Sequence, residues 1–166
     1  YFFKHALIQE TAYQSMLKSK RQQYHHHIAR VLEGRFTDVV ESQSELLAHH
    51  YTEAGLIAEA IPYWQQAGQR AVQRSANVEA ISHLTKGVDL LRALPETPER
   101  NQRELLLLAT LGVSLTVVKG HAAPEVDHLY THARALCRQV GDSPQLSLVL
   151  WGLGAFYFVR GQTQTA

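Results

Sequence analysis

Leu47-Ala48-His49-His50-Tyr51, followed by Ala60-Ile61-Pro62-Tyr63-Trp64-Gln65-Gln66-Ala67-Gly68, decides the fold. The first string sets a large apolar residue, a small one and an aromatic at 47, 48 and 51. The second sets small, aromatic and small residues at 60, 64 and 67. Spacings of three and four place each set on one helical face. Small residues let two helices approach closely, and the aromatics fill the groove between them. That is the logic of a tetratricopeptide (TPR) helix pair, W-x2-L-G-x2-Y and then A-x3-F over about 34 residues. Ala48 takes the glycine slot here. Leu150, Leu153, Gly154 and Tyr157, with Gly161 at a turn, open the pattern a second time, so the chain is expected to stop inside a repeat.

Periodicity to either side predicts about seven helices. Leu7, Ile8, Ala12, Met16 and Leu17 predict a helix from Ala6 to near Lys20, with Tyr1 to His5 as a strand tail or a first turn. Ile28, Val31 and Leu32 carry the apolar face on to Gly34, and residues 37–42 read as a loop. Ser42 and Glu45 have capping-box spacing before a helix that carries Leu46, Leu47 and Tyr51 and stops at Gly55. Further helices are expected over 58–74, with Pro62 in or just past the first turn, and from about 77 to 94. Thr97 caps another over 99–118, with Pro98 at its first position, and two more cover 124–140 and 145–159. Glu59-Ala60-Ile61 recurs as Glu79-Ala80-Ile81 after about 20 residues, short of a TPR period, which implies a shortened or fused helix between them. The fold class is all-α, a TPR-like antiparallel helix-hairpin stack (an α–α superhelix). It divides into a helical connector over 1–36 and TPR-like repeats over 42–166.

Composition narrows the function. Sixteen basic and 15 acidic residues leave a formal charge of +1. The densest basic run, Lys18, Lys20 and Arg21, is too short for a phosphate-binding stripe, which argues against nucleic acid. The longest apolar stretch, 105–118, is broken by Thr110, Ser114 and Thr116 and falls short of the roughly 20 residues a membrane span needs. A single cysteine, Cys137, allows no internal disulfide and no multi-thiolate zinc site. That fits a reducing, cytoplasmic setting. Tyr1-Phe2-Phe3 carries neither an initiator Met nor a signal peptide, and both ends read as cuts.

Residues that could carry chemistry each have a plainer reading. His25, His26 and His27 point three ways around a helix. His128 and His132 stand one turn apart and could chelate zinc, yet no H-E-x-x-H accompanies them and Asp127 lies on another side. Cys137 adjoins Arg138 but shares a helical stripe with Ala133 and Val140, which makes it a packed cysteine. Glu96, Glu99 and Glu104 read as solvated, with Glu99 favouring its helix's first turn. No catalytic, cofactor-binding or metal-binding residue is expected. Tyr51, Tyr63 and Trp64 are the candidate interaction groove for a peptide, with inter-helix packing as their alternative role. Trp151 and Phe156 fall off the Leu153/Gly154/Tyr157 face or on its edge, so an isolated piece is expected to self-associate.

Phe3-Lys4-His5-Ala6-Leu7-Ile8-Gln9-Glu10, Ala12-Tyr13, and Arg21 with His25, Ile28 and Ala29 together resemble the segment that follows the ATPase module of large bacterial signalling proteins. These are multidomain AAA/STAND-type ATPases, often with an N-terminal adenylate/guanylate cyclase domain and a C-terminal TPR region. Glu45 to Gly55, Tyr63-Trp64 with Ala67-Gly68, Ala123-Pro124-Glu125-Val126 and Leu136-Cys137-Arg138-Gln139 look like the same family's helical region. The resemblance covers nearly the whole chain, with His26 and His27 standing where the family tends to be basic. It implies a non-catalytic regulatory segment that contacts a protein or peptide partner, or other domains of its own chain. ATP binding or cyclic-nucleotide synthesis would belong to the parent, since no G-x4-G-K-[ST] loop occurs here. Two alternatives stand beside it: a transcription activator's helical region touching DNA through 18–30, and a metal site at His128 and His132.

Overall fold

The computed structural model describes residues 2–140, 151, 154 and 156–158, with side chains from residue 8 onward except residue 9. Among the described residues the chain is an all-α stack of eight helices. It forms two compact units, 1–63 and 64–166, divided between Tyr63 and Trp64.

The first unit holds α1 (Phe2–Ser15), α2 (Lys18–Arg35), α3 (Thr37–Ser42), α4 (Ser44–Ala54) and the start of α5 (Ile57–Gln73). Phe2 to His5 are helical, so the strand alternative falls away. The expected helix through Lys20 breaks at Leu17, which is extended at φ −56° and ψ 137°. The N–H groups of Lys20 and Arg21 then bond to the Leu17 carbonyl and start α2. Residues 37–42, expected as a loop, form α3, which packs on α2 and α4 with Val39 and Val40 half-buried. Two half-buried valines and packing on both neighbouring helices suffice for a helix too short to show a period,. Ser42 is not the expected cap. It ends α3, its hydroxyl donating to the Val39 carbonyl at 3.3 Å, and Gln43 precedes α4 with no side-chain cap.

The 20-residue echo has a simple cause, and no helix is fused or shortened. At the end of α4, the N–H of Gly55 bonds to Thr52 and that of Leu56 to Tyr51. At the end of α5, Ser75 bonds to Val72 and Ala76 to Ala71 in the same way. Both are Schellman closures, which need a left-handed residue just past the helix. Gly55 adopts φ 78° and Ser75 φ 59°. One helix and one turn therefore make one period. Burial follows it: Ala60, Trp64, Ala67 and Ala71 in α5, then Ala80, Leu84, Gly87 and Leu91 in α6 (Asn77–Arg92).

The second unit continues with α6, α7 (Pro98–Lys119) and α8 (Pro124–Val140). Thr97 caps α7 as expected, its hydroxyl accepting from the Arg100 N–H at 3.2 Å, with Pro98 behind it. Arg92 meets Glu104, and Asn101 meets Gln139, so α7 runs antiparallel to both neighbours. Leu105, Leu107, Leu108 and Leu111 of α7 and Val126, Leu129 and Leu136 of α8 are buried in the core, Leu107 beside Gly87 of α6. Of the helix expected over 145–159, Trp151, Gly154, Phe156, Tyr157 and Phe158 are described, and all are helical. Leu150, Leu153 and Gly161 lie outside the described residues. Phe156 is buried against Tyr130 at 5.0 Å between ring centres, where it was expected off the core face or on its edge, while Trp151 is exposed.

A Cβ on Gly68 would meet Cγ and Cδ2 of the buried Leu84 at 2.5 Å. We expect Gly68→Ala to cost about 1–3 kcal/mol through this overpacking, read as a lower urea midpoint. At Gly34 an added methyl meets nothing within 4 Å, so Gly34→Ala should raise stability by about 0.5–1 kcal/mol.

Candidate functional site

Three antiparallel helices leave a groove in the second unit. Leu108, Leu111 and Leu115 of α7 form its floor. Thr85, Val88, Asp89 and Arg92 of α6 make one wall, and Glu125, His128, Leu129, His132 and Ala135 lie along the other. Its volume is about 700 Å³, within the range of ligand-binding clefts.

Beneath one end lies Glu104, 1% exposed. Its Oε1 accepts from Arg92 Nε at 3.3 Å and from His132 Nε2 at 2.8 Å, and Oε2 faces Arg100 Nη2 at 3.3 Å. Arg100 is fixed in turn by donating to the Leu91 carbonyl at 3.0 Å. One carboxylate thus ties α6, α7 and α8 together. A buried ion needs several such partners to offset its lost hydration. Glu104 therefore corrects the expectation of a solvated carboxylate. Glu96 and Glu99 are exposed, as expected. Glu99's carboxyl sits below the usual range, chiefly because it accepts a bond from the free backbone N–H at the start of α7,.

The first unit carries a different cluster. His25 of α2 is buried. Its Nε2 lies 2.9 Å from Tyr13 Oη, and its Nδ1 lies 2.9 Å from Nδ1 of His50. His49 closes the group, 5.7 Å from His25 between ring centres. Burial, more than any neighbouring charge, depresses the pKa of both His25 and His50. Nearby, Glu33 accepts from Tyr63 at 2.6 Å and from Tyr51 at 2.8 Å. Those two bonds hold its carboxyl below the usual range. Burial and this contact push the Tyr51 phenol up to about 12.

The structure brings Tyr51 and Tyr63 together as a stacked pair, 5.8 Å apart. Trp64 belongs to the other unit, where it stacks on His83 at 5.5 Å under the Lys86 ammonium. Tyr51 and Trp64 are each 4% exposed and pack between helices, so neither offers an open ring face to a peptide. His132 turns to Glu104, while His128 stays exposed beside the groove. Among the described residues no three His, Cys, Asp or Glu side chains are placed to hold a metal ion. Cys137 is buried with Ala133, and burial raises its thiol pKa, which leaves it protonated and unreactive at neutral pH. Among the described residues no helix is long and apolar enough to cross a membrane.

Sequence reasoning missed two groups, Glu104 with Arg92, Arg100 and His132, and His25 with His50. The first had a signal in the i, i+4 spacing of Arg100 and Glu104. The second joins residues 25 apart in sequence and had none.

Removing Glu104 would leave two arginines without their shared anion. Arg100 is largely buried but keeps Glu96 nearby, and Arg92 is half exposed beside Asp89, so Glu104→Ala should cost about 2–3 kcal/mol, short of a fully buried pair, read by urea denaturation. A loss under about 1 kcal/mol would contradict the pinning role. The histidine pair predicts a pH dependence. Both groups are less readily protonated when folded, so the unfolded chain binds protons first as pH falls below about 6.5. Stability present above that value should decline on acidification, and His50→Gln should weaken the decline between pH 7.5 and 5.5.

The chain is 30% identical over 154 residues to an uncharacterized protein, R02095, of Rhizobium meliloti (strain 1021). The match covers 92% of this chain and 15% of the length of that relative. No family model matches the chain, and no solved structure matches it.

Proposed function

We propose that this chain is a non-catalytic protein-interaction segment of a larger regulatory protein, and that the groove over α7 receives a peptide or another segment of its own polypeptide. The observation that carries this reading is the groove itself, with a leucine floor and walls kept partly polar by Asp89, Arg92, Glu125 and His128. An apolar base gives affinity, and a polar rim gives orientation and excludes wrong partners. The Glu104 network sets the groove's shape before anything binds, which lowers the ordering cost of association. The helix pairs of the TPR-like pattern are consistent with such use, and the contact surface moves from Tyr51, Tyr63 and Trp64 to α6, α7 and α8.

The identity of the parent rests on the resemblance described above, which implies a signalling ATPase or nucleotide cyclase. The length of the R. meliloti relative is compatible with a multidomain parent. Regulation would follow if an effector segment and a catalytic domain competed for this surface.

Ala135 is exposed on the groove wall, so a large side chain there obstructs the groove while leaving the core alone. Panning the purified chain against a random dodecapeptide library should enrich peptides with two or more apolar anchors. Their affinity should fall at least tenfold on Ala135→Trp. Peptides that bind the variant equally well, or no enrichment at all, would remove the groove from consideration.

A further inference from the structure

The outer side of α2 carries a second surface, independent of the groove and confined to the first unit. His25 and Ala29 face inward, and Lys20, Tyr24, Ile28 and Arg35 stay exposed, with Val31 half-buried among them. Offsets of four, eight, eleven and fifteen from Lys20 put these residues along one side of the helix. Tyr24 is 57% and Ile28 40% exposed, although two large apolar side chains one turn apart gain from being covered. The cations at the two ends stand about 22 Å apart at the usual helical rise. Neither Lys20 nor Arg35 has a side-chain partner among the described residues. Glu33, the one acidic residue of α2, is taken up by Tyr51 and Tyr63.

We infer that this stripe docks an acidic amphipathic helix of a protein partner, with apolar residues on Tyr24, Ile28 and Val31 and a carboxylate at each end on Lys20 and Arg35. Charge placement selects this occupant. A second copy fits poorly, because antiparallel pairing of two α2 faces sets Lys20 against Arg35 twice, and parallel pairing sets like against like. A nucleic acid fits poorly as well. Phosphate neutralisation needs a run of cations along the backbone, and here apolar side chains fill the middle of the stripe.

The probe is a designed 18-residue helical peptide with two glutamates fifteen positions apart and leucines at helical spacing between them, followed by fluorescence anisotropy at low salt. Saturable binding is expected, reduced at least tenfold by the exposed pair Tyr24→Ala/Ile28→Ala and equally by Lys20→Glu/Arg35→Glu. A peptide with lysines in place of the two glutamates should recover binding to the charge-reversed variant, which a misfolded variant could not do. No saturable binding, or binding indifferent to the charge reversal, would overturn the inference. So would duplex DNA binding, or a concentration-dependent dimer, that is lost on Tyr24→Ala/Ile28→Ala. Because none of these residues lines the α7 groove, failure here leaves the groove reading to its own experiment.

Discussion

Close approach of helices at small residues is the constraint on which the second unit depends. Gly68 lets the Leu84 side chain lie where a Cβ would stand, whereas at Gly87 a Cβ would meet Leu107 at 3.3 Å, a much milder crowding. Gly112, like Gly68, does this for Leu129 and Tyr130 between α7 and α8. Each pair can then bury a continuous row of leucines and aromatics at interior packing density. Larger residues at these positions would push the helices apart and open the gaps that the aromatics fill.

On that frame, Glu104 adds direction. Hydrophobic contact alone would allow α6, α7 and α8 some sliding, since apolar packing is not directional. Hydrogen bonds from Arg92 of α6 and His132 of α8, with the Arg100 ion pair beside them, are directional and set the register along the groove. The cost is a desolvated carboxylate, offset by the number and geometry of its partners. In the first unit the pairing of His25 with His50 plays a comparable part between α2 and α4, but with groups that burial makes harder to protonate,. One unit is thus held by a permanent ion cluster and the other by a contact sensitive to protons.

Function attaches to what packing leaves uncovered. Tyr51 and Trp64 have the composition of a binding surface, yet they are consumed by the core, as aromatics in helix pairs often are. The groove over α7 and the α2 stripe are surfaces that remain, and their edges are charged.

Much of the fold was legible in the sequence because helices announce themselves locally. The all-α class followed from period-3.6 apolar patterning, and the α7 cap from Thr97 and Pro98. Gly55 and Gly120 marked the helix ends they do mark. The errors share one cause. The break at Leu17, the helix at 37–42 and the true start of α4 carry no glycine, proline or capping side chain to mark them, and so leave little trace in local spacing. Glu104 shows the same limit at the level of chemistry. Its sequence neighbourhood is that of any solvated helix glutamate, and only the arrival of Arg92 and His132 from two other helices buries it. What the sequence determined by itself was where helices form, since that depends on neighbours within a turn or two. Which faces meet, and so which charges are buried and which surfaces stay open, was decided only by the tertiary structure, because those energies come from groups brought together by packing.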